Sequence, residues 1–139
     1  MDVDQIDHQL LSLKSKDKKT RIDALIALSI SRHVSHRVLP DLLQYAETVS
    51  DSQEQGILIE TLGRIGDAGA VSYLASVIEK HPVSKRAMRA AQSLGQIGDP
   101  TALPYLMTAR HSPNHVVRSA ARDAIHEIQT NQRTSTEES

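Results

Sequence analysis

Two pairs of histidines have a spacing that could support metal chemistry. His33 and His36 lie three residues apart, and His111 and His115 lie four apart, so either pair could share one face of a helix. Two imidazoles on one face can ligate the same transition metal. Both pairs, however, fall where one predicted helix ends and the next begins. The sequence therefore predicts no metal site, and no other residues indicate a cofactor.

The residue types needed for covalent or acid–base catalysis are missing or lack a pattern. The chain has no cysteine, which excludes disulfides, thiolate metal ligands and cysteine nucleophiles. No Ser-His-Asp constellation can be inferred, and no pair of carboxylates stands apart from the surfaces of predicted helices. The glycine pairs that recur are not followed by Lys-Ser or Lys-Thr, as a phosphate-binding loop requires. The sequence therefore predicts a protein that is not an enzyme.

The strongest pattern in the chain is a segment that occurs twice. Residues 62–74 return as residues 94–106, at an offset of 32 with nothing inserted between the copies. Self-similarity at a period of about 20 to 50 residues is typical of repeat proteins, in which each repeat is one supersecondary unit. This period indicates a stack of similar units rather than a fold with one unique topology.

Each copy of the segment reads as the end of one helix, a tight turn and the start of the next helix. Gly66 and Gly98 lie where a helix commonly ends with a left-handed residue, a conformation that glycine adopts at little cost. Asp67 and Asp99 follow as candidate N-caps of the next helix. A turn this short predicts antiparallel helices in contact.

Apolar residues at i, i+3 and i+4 continue this pattern along most of the chain and predict about eight helices. They would form half a repeat, three whole repeats and half a repeat. The predicted fold is all-α, an α-solenoid in one domain over residues 1–130. Residues 131–139 contain no Leu, Ile or Val and predict a disordered tail. Helices are also expected over 3–13 and about 17–32, and a last helix is expected to start at 112–114. A turn is predicted at 33–36 with Ser35 as the cap, and Ser84 is predicted to cap the third repeat. Gly63 and Gly95 predict a close approach of neighbouring helices.

These residues carry a family resemblance. The pattern Leu-Gly-x-Ile-Gly-Asp-x-x-Ala-[Val/Leu]-x-x-Leu at 62–74 and 94–106, with Arg-Ser-Ala-Ala-Arg-Asp-Ala-Ile at 118–125, resembles the short HEAT-like repeat. That repeat is also known from phycobilisome bilin lyases. The resemblance covers about residues 17–129. It implies a stack of helix pairs, and it leaves a bilin-lyase or chaperone-type subunit as one alternative function.

In such a stack the second helix of each pair is expected to line a concave face that binds partners. Tyrosine favours binding sites because its ring offers a large contact area at low entropic cost. Alternatively, each ring lies over the aliphatic side chains of its neighbour as part of the packing. The sequence predicts a non-enzymatic adaptor or regulatory module that binds a protein or peptide. The predicted partner-binding residues are a row of Asp41, Tyr73 and Tyr105, a second row of Gln44, Ser76 and Thr108, and the cations Lys80 and Arg110.

Charge is distributed unevenly along the chain. Residues 1–79 carry a net charge of −4, and residues 80–133 carry +5, within a formal total of −1. This asymmetry either steers a charged partner or belongs to a solvated surface. Nucleic acid is the third functional class, but the chain has no Trp or Phe for stacking on bases.

The lengths and positions of the apolar segments predict where the protein is located and whether it can self-associate. No apolar run approaches the roughly 18 residues needed to span a membrane, so the sequence predicts a cytoplasmic protein without membrane contact. The uncovered terminal helices of a short solenoid would retain apolar surface, which would allow self-association.

Overall fold

The computed structural model describes residues 2–30 and 35–138, and within them every regular element is helical. The all-α class and the number of helices are confirmed. Short 3₁₀ turns at Ala68–Ala70 and Pro100–Ala102 precede two of the α-helices. The helices are α1 Val3–Ser12, α2 Lys18–Ser29, α3 Ser35–Thr48, α4 Ser52–Ile65, α5 Val71–Lys80, α6 Lys85–Ile97, α7 Leu103–Ala109 and α8 His115–Glu138.

The turns within the second and third repeats have the predicted geometry. Gly66 and Gly98 are left-handed, with φ angles of 78° and 76°. The carboxylates of Asp67 and Asp99 each accept a hydrogen bond of 2.8 Å from the backbone amide two residues further on. Each turn therefore reverses the chain within a few residues and sets the next helix antiparallel to the last.

The helices form two layers. The first helices of the pairs, α2, α4, α6 and α8, stack in sequence order and contact one another extensively, while α1, α3, α5 and α7 form the second layer. Neighbouring helices of the second layer make far fewer contacts with each other. The fold is an α-solenoid whose first layer is closely packed and whose second layer is open between its helices.

Two glycines allow the close packing of the first layer. A Cβ atom added to Gly63 would lie 2.8 Å from the Cβ of Ser93. One added to Gly95 would lie 3.0 Å from the Cα of Ala124. Both distances are too short for ordinary contacts, so the predicted close approach at these glycines is confirmed. The sequence places its smallest residues where two helix backbones meet.

The core between the layers is aliphatic and continuous along the stack. Burying one such side chain contributes about 1.5–3 kcal/mol, so packing between layers supplies most of the stability of helices that would be marginal alone. The largest fully buried side chains include Leu25, Leu28, Leu42, Leu58, Ile59, Leu62, Leu74, Leu94, Leu106 and Ile128.

The junction between α2 and α3 differs from the prediction in detail. Helix α2 ends at Ser29 rather than near residue 32, and the predicted turn residues His33 and Val34 lie outside the described residues. Helix α3 starts at Ser35, the residue predicted as its cap.

Helix α8 continues to Glu138, into the segment of residues 131–139 for which the sequence predicts a disordered tail. No Gly or Pro interrupts this segment, so nothing in its sequence breaks the helix after the buried Ile128. Among the residues of α8 after Ile128, the side chains of residues 129–133 are exposed.

Candidate functional site: two clefts between the second helices

The first cleft opens between α1 and α3, above the starts of α2 and α4. It has a volume of about 500 Å³ and both apolar and charged walls. We call it the N-terminal cleft. The residues that matter for its chemistry are Leu10, Lys14, Arg21, Asp41, Gln44, Tyr45 and Glu54.

A network of three polar side chains forms the base of the N-terminal cleft. Glu54 is only 2% exposed, and its carboxylate accepts hydrogen bonds from Arg21 through Nε at 3.0 Å and Nη2 at 2.6 Å. The hydroxyl of Tyr45 donates to the same carboxylate. Arg21 also donates from Nη1 to the backbone carbonyl of Ser15 at 2.8 Å. The network therefore joins α2, α3 and α4, and it ties α2 to the connector before it.

The charges within this network stabilise one another. The hydrogen bonds from Arg21 lower the pKa of Glu54, against the effect of its burial, and the hydrogen bond from Tyr45 lowers it further. Burial, reinforced by the carboxylate, raises the pKa of Tyr45. Glu54 is consequently ionised at neutral pH, and both of its oxygens already accept hydrogen bonds. Such a carboxylate acts as a fixed charge within the fold and is poorly suited to exchange protons with a substrate.

Sequence reasoning did not find this network, although the repeat contains a signal for it. At the period of 32, Tyr45 aligns with Val77 and Ala109, which are buried apolar residues. Glu54 likewise precedes the buried Leu58 by one helical turn and so lies on the inward side of α4. A polar residue at a repeat position that is otherwise apolar predicts a specific buried partner.

The second cleft, the C-terminal cleft, opens between α5 and α7 and has a volume of about 360 Å³. Tyr105 forms one wall and is 38% exposed. The buried hydroxyl of Ser112 donates to the carbonyl of Pro82 at 3.1 Å and closes the end of the cleft. Its lining residues are Ile78, Glu79, Pro82, Tyr105, Thr108, Ala109, His111 and Ser112.

The predicted partner-binding residues of the first and third repeats line these two clefts. Asp41 and Gln44 lie in the N-terminal cleft, and Tyr105 and Thr108 lie in the C-terminal cleft. The structure therefore brings the predicted residues together in pairs, with each pair contributed by one second helix.

The predicted residues of the second repeat are placed differently. Tyr73 is half-buried against the core, and its hydroxyl accepts a hydrogen bond from Nε2 of Gln55 at 3.3 Å. Burial raises the pKa of Tyr73. Ser76 donates to the carbonyl of Tyr73 within the same helix, at 2.6 Å. Tyr73 thus has a packing role that Tyr105 lacks, while the predicted cations Lys80 and Arg110 are exposed.

The candidate histidine ligands can be located only in part. His111 lines the C-terminal cleft and is exposed, as is His115 at the start of α8, while His33 lies outside the described residues. In the part of the chain that the structure describes, no group of three or more His, Cys, Asp or Glu side chains could hold a metal ion.

A stack of antiparallel helix pairs, each in contact with its neighbours, is the architecture of the repeat proteins called α-solenoids. The family model for HEAT repeats matches residues 39–126, which run from α3 into α8 and make up more than half of the chain. The chain therefore belongs to the HEAT repeat family. A comparison with curated protein sequences gives no match. Among the described residues, no helix is both long and apolar enough to span a membrane.

Proposed function

We propose that this protein is a non-enzymatic adaptor or regulatory module that binds a partner protein or peptide on the layer of second helices. HEAT repeats commonly act as scaffolds for protein interaction, and their stacked helices offer extended binding surfaces. The sequence predicts the same surface from its alignment of Asp41, Tyr73 and Tyr105 at equivalent positions. The proposal extends to this chain a property that its family commonly has.

The observation that carries the proposal is the difference between the two layers. First helices pack so closely that Gly63 and Gly95 have no space for a side chain. Second helices leave two clefts, each with apolar walls and a few polar groups, which is the usual composition of a binding site. A partner could therefore insert side chains between the helices of the second layer at either cleft.

The state of the buried carboxylate supports a binding role over a catalytic one. Among the described residues, Glu54 is the one buried acidic side chain, and Arg21 and Tyr45 occupy its oxygens. A general acid or base needs a free position within hydrogen-bond reach of a substrate. This favours a structural role for the network, with recognition as the function of the clefts around it.

Site-specific photo-crosslinking tests the proposal. A photoreactive amino acid placed at Thr108, within the C-terminal cleft, or at Gln44, within the N-terminal cleft, should form discrete adducts with proteins or peptides in cell extract. The same amino acid at Gln92, exposed on α6 in the first layer, serves as the matched control and should form none. Equal labelling from both layers, or adducts from Gln92 alone, would contradict the proposed surface.

The two alternative functions can be tested by binding assays on the same purified protein. A bilin-lyase-type subunit would bind pigment, which absorbance spectra of the protein mixed with bilin would detect. A nucleic-acid module would retard duplex DNA in a gel in a strongly salt-dependent manner. Either result without protein adducts at Thr108 or Gln44 would replace the adaptor function.

A further inference from the structure

The C-terminal cleft opens at an edge of the stack that is rich in positive charge. This edge, which we call the basic edge, consists of the turns at 81–84 and 110–114 and the helix ends beside them. The turns are in direct contact, since Asn114 Nδ2 donates to the carbonyl of Val83 at 3.1 Å. One carboxylate, Glu79, lies among residues 79–86 and 110–118. The cationic side chains there are Lys80, Lys85, Arg86, Arg110 and Arg118, accompanied by His81, His111 and His115.

The cations of the basic edge have no carboxylate partners among the described residues. Arg86 donates to the side-chain oxygen of Gln55 at 2.8 Å. Arg118 donates to the carbonyls of Ser112 and Pro113, at 2.9 and 3.0 Å. These neutral acceptors orient the guanidinium groups without cancelling their charge. The edge consequently keeps a positive potential that an anionic partner can use.

The helix starts at this edge add to the same potential. Helix α6 is capped by the neutral Ser84, and its first turn contains no acidic residue but carries Lys85 and Arg86. Helix α8 is capped by the neutral Asn114, whose Oδ1 accepts from the amide of Val116 at 2.9 Å. Cations near a helix N-terminus oppose the helix dipole and cost stability. This unfavourable interaction occurs at the start of α6, beside the C-terminal cleft.

We infer that the C-terminal cleft binds an acidic peptide segment that inserts one apolar side chain between α5 and α7. Ile78, Pro82 and Tyr105 would surround the inserted side chain, because they form the apolar walls of the cleft. Acidic residues on either side of it would face Lys80 and Arg110, which directly follow the lining residues Glu79 and Ala109. This inference rests on the proposed function and adds the chemistry of its partner.

A nucleic acid would fit the charge of the basic edge but not the cleft. Phosphates can bind lysine and arginine, but a duplex has no aliphatic side chain to fill an apolar recess of about 360 Å³. Single strands insert bases between aromatic rings, and Tyr105 is the one aromatic side chain that lines this cleft. A peptide matches both the charge and the shape.

Selection from a random peptide library displayed on phage, with the full chain as bait, tests the inference. Enriched peptides should share a Leu, Ile, Met or Phe with at least two Asp or Glu residues nearby. Affinity of one enriched synthetic peptide is then measured by isothermal titration. We expect K80E/R110E to weaken binding about tenfold or more, and rising salt to weaken binding to the unmodified protein.

Matched variants control for loss of folding and for net charge. The pair R122E/R133E makes the same change in charge at exposed positions of α8 and should alter the affinity by less than about threefold. Thr108→Trp should block the cleft and abolish binding, whereas Gln92→Trp, exposed on α6, should leave it intact. Thermal unfolding of each variant establishes that the fold is retained.

The outcomes separate this inference from the proposed function. Enriched peptides that need Thr108 but are neutral or basic would overturn the acidic partner and leave the adaptor function standing. Peptides that are insensitive to Thr108→Trp but sensitive to substitution of Gln44 would place binding in the N-terminal cleft instead. Duplex DNA that binds more tightly than every selected peptide and is lost in K80E/R110E would overturn both.

Discussion

The first helices of the two halves of the stack are capped by different kinds of residue. In the N-terminal half, α1, α2 and α4 are capped by Asp2, Asp17 and Asp51, whose carboxylates suit the helix dipole. The cap of α4 also forms an ion pair with Lys18 at 2.7 Å. In the C-terminal half, the neutral Ser84 caps α6. The comparison indicates that acidic caps stabilise the helices of the first half, whereas α6 in the second half begins with a neutral cap followed by Lys85 and Arg86.

The two halves of the stack also differ in the interactions that hold their helices together. Arg21, Tyr45 and Glu54 connect three helices in the N-terminal half by hydrogen bonds. The contact between α6 and α8 uses small residues instead, with Gly95 against Ala124. The polar network should therefore make a pH-dependent contribution to stability, whereas the contact between α6 and α8 contributes through close packing.

The largest expected effect follows from enlarging the residue at the closest helix contact. Gly95→Leu forces α6 away from α8, because even a Cβ would lie 3.0 Å from the Cα of Ala124. We expect the free energy of unfolding to fall by about 3 kcal/mol, measured by urea denaturation. Gln92→Leu, exposed on the same helix, should change it by less than about 0.5 kcal/mol. Equal effects of the two substitutions would show that the contact is not closely packed.

An intermediate effect is expected from the polar network. Glu54→Gln keeps the shape but removes the charge that Arg21 and Tyr45 stabilise, and should lower the free energy of unfolding by about 2 kcal/mol at neutral pH. The pKa of Glu54 is lowered in the folded protein, so its contribution is present above the unfolded pKa and is lost as pH falls through the folded pKa.

The difference between the unmodified protein and Glu54→Gln should therefore shrink as the solution is acidified from neutral pH. Thermal unfolding of both proteins across this range measures the difference. A difference that is independent of pH would mean that Glu54 contributes by packing alone.

The smallest expected effect concerns the basic edge. Lys85→Glu places an acidic side chain in the first turn of α6, where the dipole favours it, and should raise the free energy of unfolding by about 0.5 kcal/mol. Lys80→Glu makes the same change in charge at the C-terminal end of α5 and should lower it by a similar amount. Thermal unfolding at low salt measures both. A loss of stability in Lys85→Glu would contradict the statement that Lys85 opposes the dipole of α6.

Much of the fold was predictable because it depends on local interactions. The turns at Gly66 and Gly98 follow from residues within five positions of one another, and the 32-residue period then implies the stacking order. The close approach at Gly95 was predictable for the same reason, since a recurring glycine inside a helix serves packing. The site was predictable in part, because the sequence placed the binding surface on the second helices and included Tyr105 in it. The sequence also treated Tyr73 and Tyr105 as equivalent, whereas Tyr73 packs against the core and Tyr105 is exposed.

The sequence by itself determined the helices, their turns and the order in which the pairs stack, because neighbouring residues encode each of these. Only the tertiary structure decided where the second helices separate and which side chains meet across repeats. Arg21 and Glu54 are 33 residues apart, and their contact depends on how one repeat lies upon the next. The two clefts arise in the same way. They are spaces between helices that no single helix encodes, since their walls are side chains from more than one helix.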